Sequence, residues 1–207
     1  MIVILDYGMG NTGSIINMIR RVGADAIISA DEQVISTAAA LILPGVGAFD
    51  NGMEKLRTFG MLPLIEKRVF EDKTPFLGIC LGMQLLFDSS EEGALPGLGW
   101  IPGMVKRFDF SGINKNGLKI PHMGWNLVIP KQDHPLFAGL GAGVRFYFVH
   151  SYHAVCSDEH HAIACAEYGY SFTCAVQKQN IFGVQFHPEK SHKFGMTLLK
   201  NFVEQIC

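Results

Sequence analysis

The chain has 207 residues, 17 basic and 19 acidic side chains, a formal net charge of -2 and 48% hydrophobic residues. That length can bury one substantial core and is read as a single domain over residues 1–207. No basic surplus exists to displace counterions and no apolar run approaches the roughly 18 residues of a membrane span, so neither nucleic acid nor a membrane is expected as a partner. The N-terminus runs straight into Ile2-Val3-Ile4-Leu5 without a basic leader or cleavage site, which reads as a mature cytoplasmic start. Ile2 to Asp6 is an apolar strand that ends in the glycine-rich turn Tyr7-Gly8-Met9-Gly10-Asn11. Beyond it Ile15, Ile16, Ile19 and Val22 recur at helical spacing. Ala26 to Ser29 reads as a second strand, Asp31 to Thr37 as a short helix, and Ala40 to Leu43 as a third strand stopped by Pro44-Gly45-Val46-Gly47.

Leu56 to Phe70 is expected to be helical around a break at Pro63. Pro75 to Cys80 returns to the sheet, and Gly82 to Phe87 turns helical. Short apolar strands alternating with helices indicate a doubly wound α/β fold with a parallel sheet covered on both faces. From Val105 to Val184 the pattern changes to strands rich in β-branched and aromatic residues, among them Arg145 to Val149, Ser171 to Gln177 and Ile181 to Phe186, separated by turns such as Asn116-Gly117. This half is expected to be mainly antiparallel. The last segment, Ser191 to Ile206, spaces Phe194, Leu198, Phe202 and Ile206 four apart behind a Ser191 cap, as in an amphipathic helix closing the sheet.

Five cysteines, Cys80, Cys156, Cys165, Cys174 and Cys207, form no CxxC pair and suit a reducing compartment. Cys80 stands out because Gly78 and Gly82 flank it at the junction of a strand and a helix. Small residues there let the chain turn sharply and lift a nucleophile above the sheet, where a helix start favours thiolate and the next amide can bind an oxyanion. The ordinary alternative is a buried core cysteine. The other four carry no such context and are read as structural. A thiol nucleophile needs a base and a group to orient it, and Phe186-His187-Pro188-Glu189 follows directly after a strand. Alone it would be a surface loop; together with Cys80 it completes a nucleophile, base and orienting acid. Leu43 to Phe49 is a third strand end whose glycines permit an amide to turn toward an oxyanion, or else a simple β-to-α turn.

Pro44-Gly45-Val46-Gly47, Gly78-Ile79-Cys80-Leu81-Gly82-Met83-Gln84 and Phe186-His187-Pro188-Glu189, in this order, resemble the class I glutamine amidotransferases over nearly the whole chain. Within that class Asp6 to Asn11, Pro121-His122-Met123-Gly124-Trp125-Asn126, Tyr147 to Tyr152 and Lys190-Ser191 are similar to the glutaminase subunits of imidazole glycerol phosphate synthase. The resemblance implies a three-layer, flavodoxin-like α/β fold whose central, mostly parallel sheet has an antiparallel extension in the second half. It implies hydrolysis of L-glutamine to glutamate and ammonia, with no cofactor and no metal, and a heterodimer with a (β/α)8 cyclase subunit that consumes the ammonia in histidine biosynthesis. Carried over by position, Cys80 attacks the amide, His187 shuttles the proton and Glu189 orients His187. The amides of Val46 and Leu81 form the oxyanion hole, in the family after Pro44 to Gly47 reorients. Gly47, Gln84, Ser151 and Tyr152 hold the substrate, and Asn11, His122, Met123, Trp125 and Lys190 belong to the partner interface.

Three alternatives accompany this reading. The same glutaminase could feed another synthase, such as a sugar-modifying amidotransferase; the fold could serve a noncatalytic interaction protein; or the chain could be a cysteine peptidase of related architecture. His150 and His153 could also suggest a metal pair, which is discounted because the strand they share offers no acidic or cysteine partner at ligand spacing.

Overall fold

The computed structural model describes residues 1–112 and 117–207, so Asn116 of the expected Asn116-Gly117 turn lies outside the described residues. Four short strands come first: β1 (Ile2–Leu5), β2 (Ala26–Ser29), β3 (Ala40–Leu43) and β4 (Phe76–Ile79). All are apolar, and they pair in parallel in the order β2-β1-β3-β4. Alternation along each strand feeds both faces. Ile2, Ile4, Ile42 and Leu77 pack under helices α1 (Thr12–Arg21) and α6 (His192–Asn201, continuing as a wider turn to Ile206). Val3, Leu5, Leu41 and Leu43 pack under the opposite layer, with α2 (Glu32–Ser36), α3 (Phe49–Thr58) and α4 (Leu62–Glu66). This is the expected three-layer arrangement.

The second half extends the sheet through β5 (Ser89–Ser90), β6 (Gly103–Arg107), β8 (Ile129–Pro130), β10 (Tyr152–Cys156), β11 (Ala162–Tyr168), β12 (Tyr170–Lys178) and β13 (Ile181–Val184). Antiparallel pairs join β13 to β12, β12 to β10 and β10 to β6, as expected. One strand departs from that division: β13 inserts parallel to β4 in the middle of the sheet, with Gly183 opposite Gly78. Its position puts the chain leaving β13 beside the chain leaving β4. Two further strands, β7 (His122–Leu127) and β9 (Arg145–His150), form a separate antiparallel ribbon. Among the described residues no helix is long and apolar enough to cross a membrane.

Three helix boundaries differ from expectation. The helix expected from Leu56 begins at Phe49, and its end is set by Gly60, at φ 69, rather than by Pro63. Pro63 lies in the first turn of α4, where its missing N–H is not needed. Helix α5 is a single turn, Leu81–Gln84: the N–H groups of Leu86 and Phe87 bond three residues back, to Met83 O at 3.1 Å and Gln84 O at 3.2 Å, and the following loop then takes the carbonyls of Leu85 and Leu86 through the N–H groups of Leu98, Trp100 and Ile101. Ser191 makes no side-chain cap for α6: its hydroxyl donates to the His187 carbonyl at 2.6 Å and accepts from the Tyr147 N–H at 3.0 Å.

Candidate functional site

Cys80 sits one residue beyond β4 at φ 55 and ψ -110, a backbone region that costs an L residue roughly 1–3 kcal/mol and persists only when neighbours over-determine it. Here they do. Its N–H donates to Val184 O at 2.8 Å, and its carbonyl accepts the N–H groups of Met83 and Gln84 at 3.1 and 3.2 Å. The flanking glycines are sterically required, since a Cβ on Gly78 would lie 2.5 Å from the Gly82 carbonyl oxygen and one on Gly82 would overlap the Leu43 carbonyl oxygen. The elbow geometry is therefore present. The helix behind it is too short for a large dipole, so what it offers is local: Leu81 is its first residue, whose N–H has no acceptor inside the helix.

His187 follows β13 at the neighbouring strand end, which is why two sequence-distant motifs meet. Its N–H donates to Tyr147 O at 2.9 Å, and Phe186 before it stacks on Phe146 with centroids 4.0 Å apart. Ser191 closes the loop from the other side. Within it His187 Nδ1 lies 2.8 Å from Glu189 Oε1, both side chains being 2% exposed. A buried carboxylate at Nδ1 holds the imidazole with Nε2 turned outward. Nε2 makes no hydrogen bond of acceptable geometry, yet the Cys80 sulfur is near enough to act on it. Burial pulls the His187 pKa down, but the Cys80 sulfur and the Glu189 carboxylate outweigh it and raise the pKa to about 10. Burial pushes the Cys156 thiol up to about 11 and that of Cys174 up as well.

Cys80 and His187 line one cavity of about 370 Å³, together with Val46, Gly47, Leu81, Gln84, Ser151 and Tyr152. The structure thus gathers every expected catalytic, oxyanion and substrate residue except Glu189, which stands behind His187. Gly47 has φ 102, open to glycine and strained for other residues. The segment before it is tightly held: Tyr7 Oη donates to Pro44 O at 2.6 Å, and a Cβ on Gly10 would come within 2.7 Å of Pro44 Cβ. The Tyr7 to Asn11 turn thereby rests directly on the expected oxyanion segment. Gln84 is more constrained than expected, since its amide nitrogen donates to both Tyr152 O (3.1 Å) and Gln185 Oε1 (3.0 Å), leaving its own oxygen available.

Sequence reasoning missed Glu92 and Gln185. Glu92 is the only carboxylate lining the cavity among the described residues. It accepts from the Phe49 N–H at 2.9 Å, and burial pushes its pKa up against that bond, with Asp50 adding to the rise. Its only sequence signal is an acid in the loop after the elbow. Gln185 is fully buried and donates to Cys80 Sγ at 3.8 Å; its signal is an uncharged polar residue inside an apolar strand end.

Of the expected interface residues, Met123 and Trp125 are exposed on β7, and Trp125 stacks parallel to His192 with centroids 5.6 Å apart. Lys190 Nζ lies over the Tyr147 ring at 5.8 Å, and Asn11 caps α1 by accepting from the Ser14 N–H at 3.4 Å. His122 departs from expectation: it is 3% exposed, because alternation along β7 turns it inward, so it cannot itself touch a partner. His150 and His153 lie on two different strands rather than one. They hydrogen-bond to His122 and to the Tyr170 hydroxyl, and among the described residues no group of three or more His, Cys, Asp or Glu could hold a metal ion.

Residues 3–206 match the family described as glutamine amidotransferase class-I. The chain is 55% identical over 205 residues to the imidazole glycerol phosphate synthase subunit HisH 2 of Methanococcus maripaludis, covering 99% of this chain and 100% of that one. It is 50% identical over 206 residues to the subunit HisH 2 of Pseudomonas aeruginosa, covering 100% of both. Among solved structures it resembles a glutamine amidotransferase (TM-score 0.66, 21% identity, 95% of this chain and 98% of the other). It also resembles PurLQS from Thermotoga maritima (TM-score 0.72, 17% identity, 100% and 98%). At these identities the two structures speak for the fold alone.

Proposed function

The chain belongs to the class I glutamine amidotransferases, and from that premise we propose that it is the glutaminase subunit of an imidazole glycerol phosphate synthase, a single glutaminase domain working in the cytoplasm. The observation that carries the chemistry is the meeting of Cys80 with a Glu189-paired His187 in one cavity. Full-length relatives bearing the synthase name support the setting. The Cys80 thiolate attacks the side-chain amide carbon of L-glutamine, and the tetrahedral oxyanion is met by the amides of Leu81 and Val46. His187 then gives its proton to the departing nitrogen, which leaves as ammonia, and a thioester remains on Cys80. Water, deprotonated by His187, attacks the thioester and releases glutamate, restoring the thiolate and the charged imidazole. Glu92 receives the substrate's ammonium, while Gly47, Gln84, Ser151 and Tyr152 border the rest of it.

The ammonia passes to a (β/α)8 cyclase subunit docked on the surface formed by Asn11, Met123, Trp125 and Lys190. Since the Tyr7 to Asn11 turn rests on Pro44, docking there biases the oxyanion segment toward its competent conformation. Losing one oxyanion donor typically costs ~10²–10³ in rate, so the free chain binds glutamine but turns it over at about that deficit. The test is glutamine turnover by the free chain, by the complex with the cyclase, and by the complex with the cyclase's nucleotide. Trp125→Ala is expected to reduce the stimulation much more than glutamine binding. A free chain already at the stimulated rate would eliminate the coupling, and stable capture of a different synthase in place of the cyclase would reassign the partner.

A further inference from the structure

Gln185 has no place in the mechanism above, yet it is fully buried, directs its amide nitrogen at Cys80 Sγ and accepts from the Gln84 amide. Its bonds do not stop there. Gln84 also donates to Tyr152 O, and the same carbonyl accepts from His150 Nδ1 at 2.7 Å. That bond places the His150 proton on Nδ1, so Nε2 must accept, and its partner at 2.9 Å is His122 Nδ1. With its own proton on Nδ1, His122 uses Nε2 to accept from Asn126 Nδ2 at 3.2 Å. Asn126 gives its remaining amide proton to Glu167 O at 2.8 Å. Every donor and acceptor has one consistent direction. Reversing the Gln185 amide would set two nitrogen donors against each other at Gln84 and an oxygen lone pair against the sulfur.

We propose that Gln185 is a hydrogen-bond donor to the Cys80 thiolate, and that its orientation is held by a continuous chain running through Gln84, the Tyr152 carbonyl, His150 and His122 to Asn126 in the β7 ribbon. This rests on the reading of Cys80 as the nucleophile and adds what keeps its sulfur charged and aimed. A neutral chain suits the role, because a proton added to either histidine would remove an acceptor and break the sequence of bonds. Burial holds His122 down to about 4; burial likewise holds His150 down to about 3, against its bond to Tyr152 O and with help from its histidine neighbours. The chain also has a geometric consequence. His122 and Asn126 face inward on the strand whose outward residues are Met123 and Trp125, so the far end of the chain lies on the same strand as those exposed side chains. Gln84, His150 and His122 are thus positioning residues, while Gln185 touches the reacting atom.

The experiment uses the full chain in complex with its cyclase and follows the pH dependence of Cys80 alkylation by iodoacetamide, mapped by peptide, beside kcat and KM for glutamine. In the unsubstituted protein, alkylation protected by glutamine at Cys80 establishes the nucleophile; labelling elsewhere would sink that reading rather than this one. Gln185→Leu is expected to move the alkylation midpoint upward by about one pH unit and to lower kcat roughly 10- to 100-fold with KM within about threefold, the loss of one bond to a charged group. Gln185→Glu keeps the shape but puts a carboxylate against the sulfur, so the midpoint should rise further, which a packing role would not produce. If Gln185→Leu fails to fold, Gln185→Glu and Gln185→Asn carry the measurement. His122→Leu, which does not touch the sulfur, should move the same midpoint in the same direction, and combining it with Gln185→Leu should add little. An unchanged midpoint in the Gln185 variants overturns the donor role. Fully additive effects of His122→Leu and Gln185→Leu overturn the chain.

Discussion

His187 is held from two directions at once: Glu189 fixes the ring through Nδ1, and Ser191 ties down its carbonyl. Supplying the proton and orienting the group that supplies it are unequal tasks, so His187→Asn is expected to lower kcat of the cyclase complex by about 10³-fold or more, and Glu189→Gln by clearly less. Stopped glutaminase assays on both variants check this; equal losses would give Glu189 a task beyond orientation. Cys80, His187 and Glu189 could be singled out in the sequence only together, since a thiol between glycines reads alone as a core cysteine and a His-Pro-Glu turn after a strand reads alone as a surface loop. Glu92 and Gln185 could not be. Their roles depend on what the fold sets opposite them, the Phe49 N–H for one and the Cys80 sulfur for the other.

At the scale of the element, the elbow is decided by contact rather than propensity. A methyl group on Gly82 would overlap the Leu43 carbonyl oxygen, while one on Gly13 in α1 would meet nothing within 4 Å. Gly82→Ala is therefore expected to destabilise the free chain by about 2 kcal/mol or more, with loss of glutaminase activity. Gly13→Ala should be neutral or stabilise by up to about 1 kcal/mol. Thermal melts of the two variants decide it, and a Gly82→Ala protein as stable as the parent would contradict the packing. Helix ends show the same priority of contact over local signal. Ser191 carries the residue type of a cap, but its hydroxyl is drawn into the His187 loop because burial at 0% exposure leaves the Tyr147 N–H and the His187 carbonyl in need of a partner. Gly60, free to adopt the left-handed conformation, ends α3 where a proline was expected to break it.

Across the whole molecule, the buried neutral histidines tie stability to pH. His122 and His150 titrate at about 4 and about 3 in the folded state, against roughly 6.5 when unfolded. The unfolded chain therefore binds more protons between those limits, and stability is present above about pH 6.5 and lost as pH falls toward 4. By about pH 5 that difference amounts to about 2 kcal/mol per histidine, which lowers Tm by roughly 4–8 °C at this size. Melts from about pH 7 to about pH 5 should show the decline, and His122→Leu should flatten it; an unchanged slope in that variant would remove His122 as its source. The sequence by itself determined the layer architecture, the alternation of apolar strands with helices, the elbow and the residue types of the chemistry, because these follow from periodicity and from steric needs within a few residues. Only the tertiary structure decided that β13 enters the sheet beside β4, and with it the meeting of Cys80 and His187. Likewise it alone turned His122 inward and joined it by hydrogen bonds to the Cys80 sulfur through His150, Gln84 and Gln185. Strand order and side-chain partners are set by the joint packing of both sheet faces, a sum over contacts between residues far apart in the chain, and no local stretch of sequence carries that sum.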